Sequence, residues 1–368
     1  MQRSFLILAL LVSGCFAPVG VVEPIAQDDP LPTGTPEAAG LDLFYLDRVS
    51  RHFAEEIDHK IHSMLVVRNG LLVFERYYNG FGPDNPHDTR SVTKSITSLL
   101  TGIAIERGAI AGVDAPLMDY LADEYPDVQD KEDISFRHLL TMSSGLDCDD
   151  SDRSTRGQED RMYKSKDWVE YFLSLSRSYA PGDTTRYCTG GVVALGEAIA
   201  QGAGQDVAVF ADDALLGPLG IRNYRWWRFD DERKVDTGGH MLLTPRAMAK
   251  VGMLVLQGGR WDGRQIVPAE WIERSVQPLT QMRGEAYGYL WWRNTLRYGG
   301  EDGRAVDVIS ARGNGGQAIF VVPEYDLVAV FTGGYYNDSD GAQIVYNTFY
   351  NAVLTAVPEL QKYIPDGS

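Results

Sequence analysis

The apolar and polar positions near the start of the chain predict a helix followed by a β-hairpin. From Leu41 onward, apolar residues recur at intervals of three and four on one helical face, at Leu46, Val49, Phe53 and Ile57. Two mostly apolar runs follow at 62–68 and 71–77. They flank Asn69-Gly70, a dipeptide that suits the type I′ turn of a two-residue hairpin.

The pattern near the other end predicts a second hairpin and a closing helix. Residues 318–322 and 327–331 are apolar and β-branched, and a helix-like stretch begins at about Gly341. Between the two ends, 112–213 lacks strong alternation. We therefore expect an α+β fold with an antiparallel β-sheet flanked by helices. The sheet lobe takes 39–111 and 214–357, an inserted, mostly helical lobe takes 112–213, and 358–368 is a tail.

The first residues predict export. Arg3 precedes an apolar run at 5–12 that is too short to span a bilayer, which is typical of a signal peptide. Val12-Ser13-Gly14-Cys15 resembles a bacterial lipobox, which implies a signal peptide at 1–14 and a membrane anchor through acylated Cys15. The proline-rich range 15–38 predicts a tether. We expect a cell-envelope lipoprotein on the periplasmic side, at the outer membrane in a Gram-negative cell. The alternative is an ordinary secretory signal with a chance cysteine.

Charge narrows the range of partners. The chain has 51 acidic and 34 basic residues, a net charge of −17, and no basic cluster that would attract phosphate backbones. This excess of acid argues against nucleic acid as a partner. The hydrophobic fraction of 44% is enough for a large folded core.

Ser91-Val92-Thr93-Lys94 opens a run, 96–105, that is apolar on nearly all sides and predicts one buried helix. A separation of three residues puts the serine hydroxyl and the lysine amine on the same helical face. Burial favours the neutral amine, which can act as a base, and the helix N-terminus favours a developing oxyanion. The four-residue pattern is short enough to occur by chance, so the alternative is a serine at a helix start and a solvated lysine.

A second motif gives a third candidate residue. Pro181-Gly182 leads to Tyr187, then Thr189, and a helical run begins at Val192. Together with Ser91 and Lys94, this resembles the serine β-lactamase and penicillin-binding-protein superfamily. It resembles in particular the class C-like branch of esterases, D-aminopeptidases and 6-aminohexanoate-oligomer hydrolases, in which a Pro-Gly turn precedes Tyr-x-Asn or Tyr-x-Ser. The resemblance implies that Tyr187 handles protons and that Thr189 contacts substrate.

Two further stretches carry the same resemblance, which covers about residues 40–357. The range 134–146 is similar to a family helix and turn near the site. Ala311-Arg312-Gly313 stands where the family has Lys/His-Thr-Gly, with Arg312 as the displaced cation. The resemblance implies substrate-binding roles for Arg312, Gly313 and Gln317. It also implies an oxyanion hole formed by the backbone N–H groups of Ser91 and Asn314.

Two cysteines remain in the mature chain, Cys148 and Cys188, and an oxidising compartment allows them to pair. Both fall close to the proposed site, which favours a disulfide. Two buried free thiols are the alternative. The acidic range 147–160 is interpreted as a polar surface loop.

The expected activity is two-step hydrolysis of a small-molecule ester or amide, or of a peptide, without a cofactor or metal. Either Lys94 or Tyr187 is the primary base. The absence of Gly-x-Ser-x-Gly and of His-Glu-x-x-His argues against a Ser-His-Asp hydrolase and a metallohydrolase. Tyr287-Gly288-Tyr289-Leu290-Trp291-Trp292 either lines an apolar cleft or belongs to the core. The alternative function is a catalytically silent envelope protein that binds cell-wall fragments or partners.

Overall fold

The computed structural model describes residues 31–56, 59–299 and 303–363. Its strands are β1 Ile61–Arg68, β2 Leu71–Tyr77, β3 His87–Asp88, β4 Tyr224–Trp226, β5 Arg228–Phe229, β6 Lys234–Val235, β7 Met241–Leu243, β8 Arg260–Trp261, β9 Arg264–Gln265, β10 Thr280–Met282, β11 Glu285–Tyr287, β12 Trp292–Tyr298, β13 Arg304–Gly313, β14 Gln317–Val322 and β15 Leu327–Gly333.

Its α-helices are α1 Leu43–Glu55, α2 Val92–Glu106, α3 Met118–Leu121, α4 Phe136–Leu140, α5 Glu159–Met162, α6 Trp168–Leu173, α7 Thr189–Ala203, α8 Val207–Ala211, α9 Pro245–Leu256, α10 Ala269–Ser275, α11 Ser339–Thr348 and α12 Pro358–Gln361. Two π-helical turns, Asp212–Leu216 and Phe349–Leu354, continue α8 and α11, and a 3-10 turn spans Pro323–Tyr325.

Eight strands form one antiparallel sheet in the order β10-β11-β12-β13-β14-β15-β1-β2. The predicted hairpin at the start of the chain is confirmed, since Asn69 and Gly70 have φ of 52° and 75° between β1 and β2. Strands from the two ends of the chain meet directly, because β1 pairs with β15 and Leu65 faces Val330. The expected α+β architecture is confirmed.

Both faces of this sheet are covered, which explains the continuous apolar runs. Along β1, Met64 and Val66 face one core with α1, while Leu65 and Val67 face the other with α2. Helix α9 packs against β1, β14 and β15 on that second side. A strand with two buried faces does not alternate apolar and polar residues.

Helix α2 lies between the sheet and the helices that follow it. It packs on β13 and β14 on one side and on α7 on the other, and α7 in turn contacts α3, α4, α6 and α8. The side chains of α2 from Val92 to Ala104 are buried, as its apolar composition predicted. Any group at the N-terminus of α2 is therefore set at the junction of the sheet and the helical part.

Part of the range predicted to be a tether belongs to the folded body. Leu31 is buried, the Leu72 N–H donates to the Pro32 carbonyl at 2.8 Å, and the Gly34 N–H donates to the Leu72 carbonyl at 3.1 Å. Residues from 31 onward therefore belong to the folded body, because they pair with β2. Cys15 and the predicted signal peptide lie outside the described residues. Within those residues, none of the helices has the length and apolarity needed to cross a bilayer.

Candidate active site

Ser91 stands at the N-cap of α2, directly after Arg90, which has a φ of 50°. Its side chain makes no capping hydrogen bond and instead lines a cavity of about 360 Å³. A hydroxyl that does not cap the helix remains free to react. The structure thus puts the serine at the helix start, as the sequence predicted, and its side chain lines a cavity.

Lys94 is enclosed one helical turn along, with 1% of its surface exposed. Its Nζ lies 3.2 Å from Ser91 Oγ, 2.9 Å from Thr189 Oγ1 and 2.5 Å from the carbonyl oxygen of Gly238. The carbonyl can only accept. The Thr189 hydroxyl also accepts from Lys94, because its own proton goes to Asp150 Oδ2 at 2.7 Å. Lys94 Nζ can therefore donate to the Gly238 carbonyl and to the Thr189 hydroxyl, and its third contact is with the Ser91 hydroxyl.

The Gly238 carbonyl is fixed by its own short loop, which sequence reasoning missed. The Gly238 N–H donates to Asp236 Oδ1 at 3.1 Å, and Asp236 Oδ2 lies 2.6 Å from His240 Nδ1. Thr97 of α2 donates to the Thr237 carbonyl at 2.7 Å. A backbone acceptor has no side-chain signature, so only the polar, glycine-rich composition of 236–240 could have marked this loop.

Tyr187 adjoins the same amine. Lys94 Nζ lies 5.1 Å from the centroid of its ring, and the ring stacks on Trp292 with 6.1 Å between centroids. Tyr187 lines the cavity together with Ser91. The structure therefore brings together the three residues Ser91, Lys94 and Tyr187 that the sequence singled out.

Cys148 and Cys188 form a disulfide, with 5.4 Å between their α-carbons. The bond joins the loop after α4 to the residue that precedes α7. The Asp150 N–H also donates to the Tyr187 carbonyl at 2.8 Å. The segment that carries Tyr187 is thus attached to the acidic loop by a covalent bond and a hydrogen bond.

That acidic loop is not the solvated surface that its composition indicated. Asp150 and Glu159 both line the cavity. Asp150 Oδ2 accepts from the Thr189 N–H at 2.8 Å, and Asp150 Oδ1 accepts from the Glu159 N–H at 3.1 Å. Burial, followed by the charge of Glu159, raises the pKa of Asp150 to about 7, although Lys94 opposes this shift. The sequence interpretation of 147–160 as a surface loop was wrong for these two carboxylates, because the disulfide and Thr189 draw the loop inward.

Arg312 also lines the cavity. Its guanidinium sits 5.1 Å from the ring of Trp292 and 5.0 Å from the ring of Tyr346, and it pairs with Glu285 at 2.7 Å. Trp292 is the member of the predicted aromatic cluster that lines the cavity. Its neighbours Tyr287, Tyr289 and Trp291 are buried in the core.

Gly313 and Asn314 line the cavity next to Ser91. A β-carbon on Gly313 would lie 2.2 Å from the Thr89 carbonyl oxygen, so only glycine lets β13 approach the backbone that leads into α2. This close approach brings the end of β13 to the residues that precede Ser91, and Asn314 lines the same cavity.

Two residues expected to bind substrate, Thr189 and Gln317, are not among the residues that line the cavity. Thr189 is fully buried and holds Lys94, as described above. Gln317 is buried at the start of β14, where its amide donates to the Gly333 carbonyl at 2.6 Å and accepts from the Gly333 N–H at 3.3 Å. Both side chains are occupied by protein partners, which corrects the expectation that they face substrate.

Comparison with known proteins agrees with this geometry. The sequence profile of the family described as Beta-lactamase matches residues 46–347, most of the chain. The chain belongs to the β-lactamase family. Among the described residues of this β-lactamase-family protein, we find no group of three or more histidine, cysteine or acidic side chains arranged to hold a metal ion.

Relatives of the protein include amide and ester hydrolases. It is 25% identical to 6-aminohexanoate-dimer hydrolase from Paenarthrobacter ureafaciens over 294 residues, which cover 73% of this chain and 71% of the relative. It is 28% identical to esterase EstB from Burkholderia gladioli over 39% of each chain. A penicillin-binding protein from Bacillus halodurans superposes with a TM-score of 0.63 at 16% identity, covering 83% of this chain and all of the other. The protein therefore has a serine-hydrolase type of fold with amidohydrolase and esterase neighbours.

Proposed function

We propose that the protein is an exported serine hydrolase that cleaves an ester or amide through a covalent acyl-enzyme on Ser91. The observation that carries the proposal is the placement of Lys94. Its amine has two fixed acceptors, and its remaining position faces Ser91 Oγ at 3.2 Å in the wall of a cavity. A buried amine held in this way beside a hydroxyl has a clear chemical use and no obvious structural one.

The reaction takes two steps. Ser91 Oγ loses its proton to Lys94 or Tyr187 and bonds to the substrate carbonyl carbon. The bond to the leaving alcohol or amine then breaks, and that group takes the proton. Water next attacks the carbonyl carbon of the acyl ester and gives a proton to Lys94 or Tyr187. The bond to Ser91 Oγ then breaks, the acid is released, and Ser91 takes back a proton. The N–H groups of Ser91 and Asn314 stabilise the oxyanion in both steps.

The walls of the cavity favour a polar substrate. Asp150, Glu159 and Glu285 contribute carboxylates, and Arg283 and Arg312 contribute guanidinium groups. A cavity of about 360 Å³ suits a small ester, amide or short peptide. Two departures from the family pattern weigh against true β-lactams, namely Ala311 in place of a cation and Thr189 in place of an amide. Carboxylesterase or amidohydrolase activity is favoured instead.

Assay of a substrate panel tests the proposal. We would compare p-nitrophenyl esters, D-alanyl peptides and nitrocefin with the wild type, Ser91→Ala and Ser98→Ala. Ser98 lies on the same helix, and its buried hydroxyl has no hydrogen-bond partner within the described part of the chain, so Ser98→Ala is a matched control. We expect turnover of one substrate class by the wild type and the control, and loss of turnover in Ser91→Ala. Equal turnover by Ser91→Ala would overturn the proposal. A folded wild type without turnover or covalent labelling would favour the silent binding protein.

Export and anchoring are part of the proposal. Acylated Cys15 holds the folded body at the periplasmic face of a membrane, and the disulfide suits an oxidising compartment. Cells fed a clickable palmitate analogue should label the wild type but not Cys15→Ala. Labelling of both proteins, or of neither, would contradict the anchor.

A further inference from the structure

The Thr189 hydroxyl is the link between Lys94 and the acidic loop. In the family pattern this position is commonly asparagine, whose carbonyl accepts without giving up a proton. A hydroxyl has a single proton, so it accepts reliably from Lys94 only if that proton is taken by another acceptor. Asp150 Oδ2 is that acceptor, at 2.7 Å from Thr189 Oγ1.

We propose that Asp150 is a positioning residue that acts on Lys94 through the Thr189 hydroxyl and so keeps the amine directed at Ser91. This inference rests on the proposed serine hydrolase function. The hydrogen-bond chain has defined directions: Lys94 donates to Thr189 over 2.9 Å, and Thr189 donates to Asp150. Asp150 itself does not need to touch the substrate.

Asp150 suits this role better than its neighbour Glu159. The same oxygen, Asp150 Oδ2, accepts both the hydroxyl and the backbone N–H of Thr189, at 2.7 and 2.8 Å. Glu159 Oε2 lies farther from the hydroxyl, at 3.2 Å, and also accepts from Tyr163 at 3.2 Å. The disulfide holds Thr189 and Asp150 together, because Cys188 directly precedes Thr189 and Cys148 lies two residues before Asp150.

The protonation state of Asp150 then decides which groups donate and which accept in the hydrogen bonds between Lys94, Thr189 and Asp150. The charged groups that face it are Glu159 and Lys94, and burial with Glu159 raises its pKa to about 7. A protonated Asp150 donates to Thr189, whose own proton then turns away from Asp150, so the hydroxyl no longer accepts reliably from Lys94. The reactivity of Ser91 should therefore fall as pH drops through this range.

A double-mutant cycle tests the link without knowledge of the natural substrate. The readout is the rate constant for fluorophosphonate labelling of Ser91 in the full chain. We expect Asp150→Ala and Thr189→Val each to lower this rate about 10- to 100-fold, because proton handling at such sites contributes factors of that order or more. Asp150→Ala should cause no further loss in the Thr189→Val background, since the link is already broken. Thr189→Ser restores the hydroxyl and should recover most of the rate that Thr189→Val loses.

The outcomes separate the two proposals. A wild-type rate in Asp150→Ala, or independent losses that multiply in the double variant, would overturn the positioning role. If Asp150→Ala does not fold, as circular dichroism would show, equal rates for Thr189→Val and Thr189→Ser would overturn it instead. No labelling of wild-type Ser91 at all would refute the hydrolase proposal, and the positioning role with it. Labelling of the wild type that is insensitive to Asp150 would refute the positioning role alone.

Discussion

The carbonyl oxygen of Gly238 lies 2.5 Å from Lys94 Nζ, although 144 residues separate the two in the chain. The contact depends on a close approach, since a β-carbon on Gly238 would lie 2.7 Å from Thr189 Cγ2 and 2.9 Å from the Thr189 carbonyl oxygen. Glycine is therefore required at this position for steric reasons. The orientation of the proposed base is set by the backbone of a distant loop as well as by its own helix.

Gly238→Ala should impair the site. The added methyl group forces the Gly238 carbonyl or Thr189 away from Lys94, and such overpacking costs about 1–3 kcal/mol. We expect a lower Tm, and about a 10-fold or greater slowing of fluorophosphonate labelling of Ser91 because Lys94 loses a fixed acceptor and proton handling contributes factors of that order or more. Gly239→Ala is the matched control, because its nearest contact would be at 3.4 Å. Equal labelling rates in Gly238→Ala and Gly239→Ala would show that the position of the Gly238 carbonyl does not affect the reactivity of Ser91.

The disulfide should stabilise the fold and the site together. It spans 40 residues, and a cross-link of this kind is worth about 2–4 kcal/mol. Thermal unfolding with and without a reductant measures the effect, and we expect the wild type to lose Tm on reduction. Cys148→Ser/Cys188→Ser should start from the lower Tm and not respond to the reductant. A wild-type Tm unchanged by complete reduction would contradict this account.

Burial of Asp150 predicts a dependence of stability on pH. Its pKa is raised to about 7 in the folded protein from an ordinary value of 3.8. The folded state therefore binds more protons than the unfolded state between these values, and this residue's contribution to stability falls as pH rises from about 4 to about 7. Urea unfolding at pH 5 and pH 8 should show that Asp150→Asn becomes more stable relative to the wild type at the higher pH. An identical difference at both pH values would mean that Asp150 titrates normally.

A buried ion pair holds α9 to the edge of the sheet. Arg246 binds Glu75 through two hydrogen bonds of 2.7 Å, and both side chains are buried. Replacing one partner leaves the other charge buried alone, which costs about 3–5 kcal/mol. We expect this loss of unfolding free energy for Arg246→Met. Combining Arg246→Met with Glu75→Gln should recover part of the lost unfolding free energy. If the double variant is no more stable than Arg246→Met, the loss comes from packing and not from the unpaired charge.

The local features of the fold were readable from the sequence. Asn69-Gly70 fixed the first hairpin because few dipeptides tolerate two consecutive positive φ angles, and the apolar run after Ser91 marked α2. Strands β10 to β12, at one end of the sheet, were not predicted. In β12, Asn294 interrupts the apolar face formed by Trp292, Leu296 and Tyr298, so the alternation of apolar and polar residues is incomplete.

The distant parts of the site were hidden for a different reason. Ser91 and Lys94 are three residues apart, so helical geometry alone predicts their contact. Asp150 and Gly238 reach Lys94 only through the folded chain, one by way of Thr189 and the other through a backbone carbonyl. Local sequence patterns carry no information on such contacts, and an acidic loop looks the same whether it faces solvent or a cavity.

Peptide mapping after fluorophosphonate treatment tests the central claim most directly. The purified chain would be labelled, digested and analysed by tandem mass spectrometry, with Ser91→Ala and Ser98→Ala alongside. We predict one adduct, on Ser91, in the wild type and in Ser98→Ala, and no adduct in Ser91→Ala. An adduct on another residue, or an unlabelled Ser91 in properly folded protein, would contradict the account.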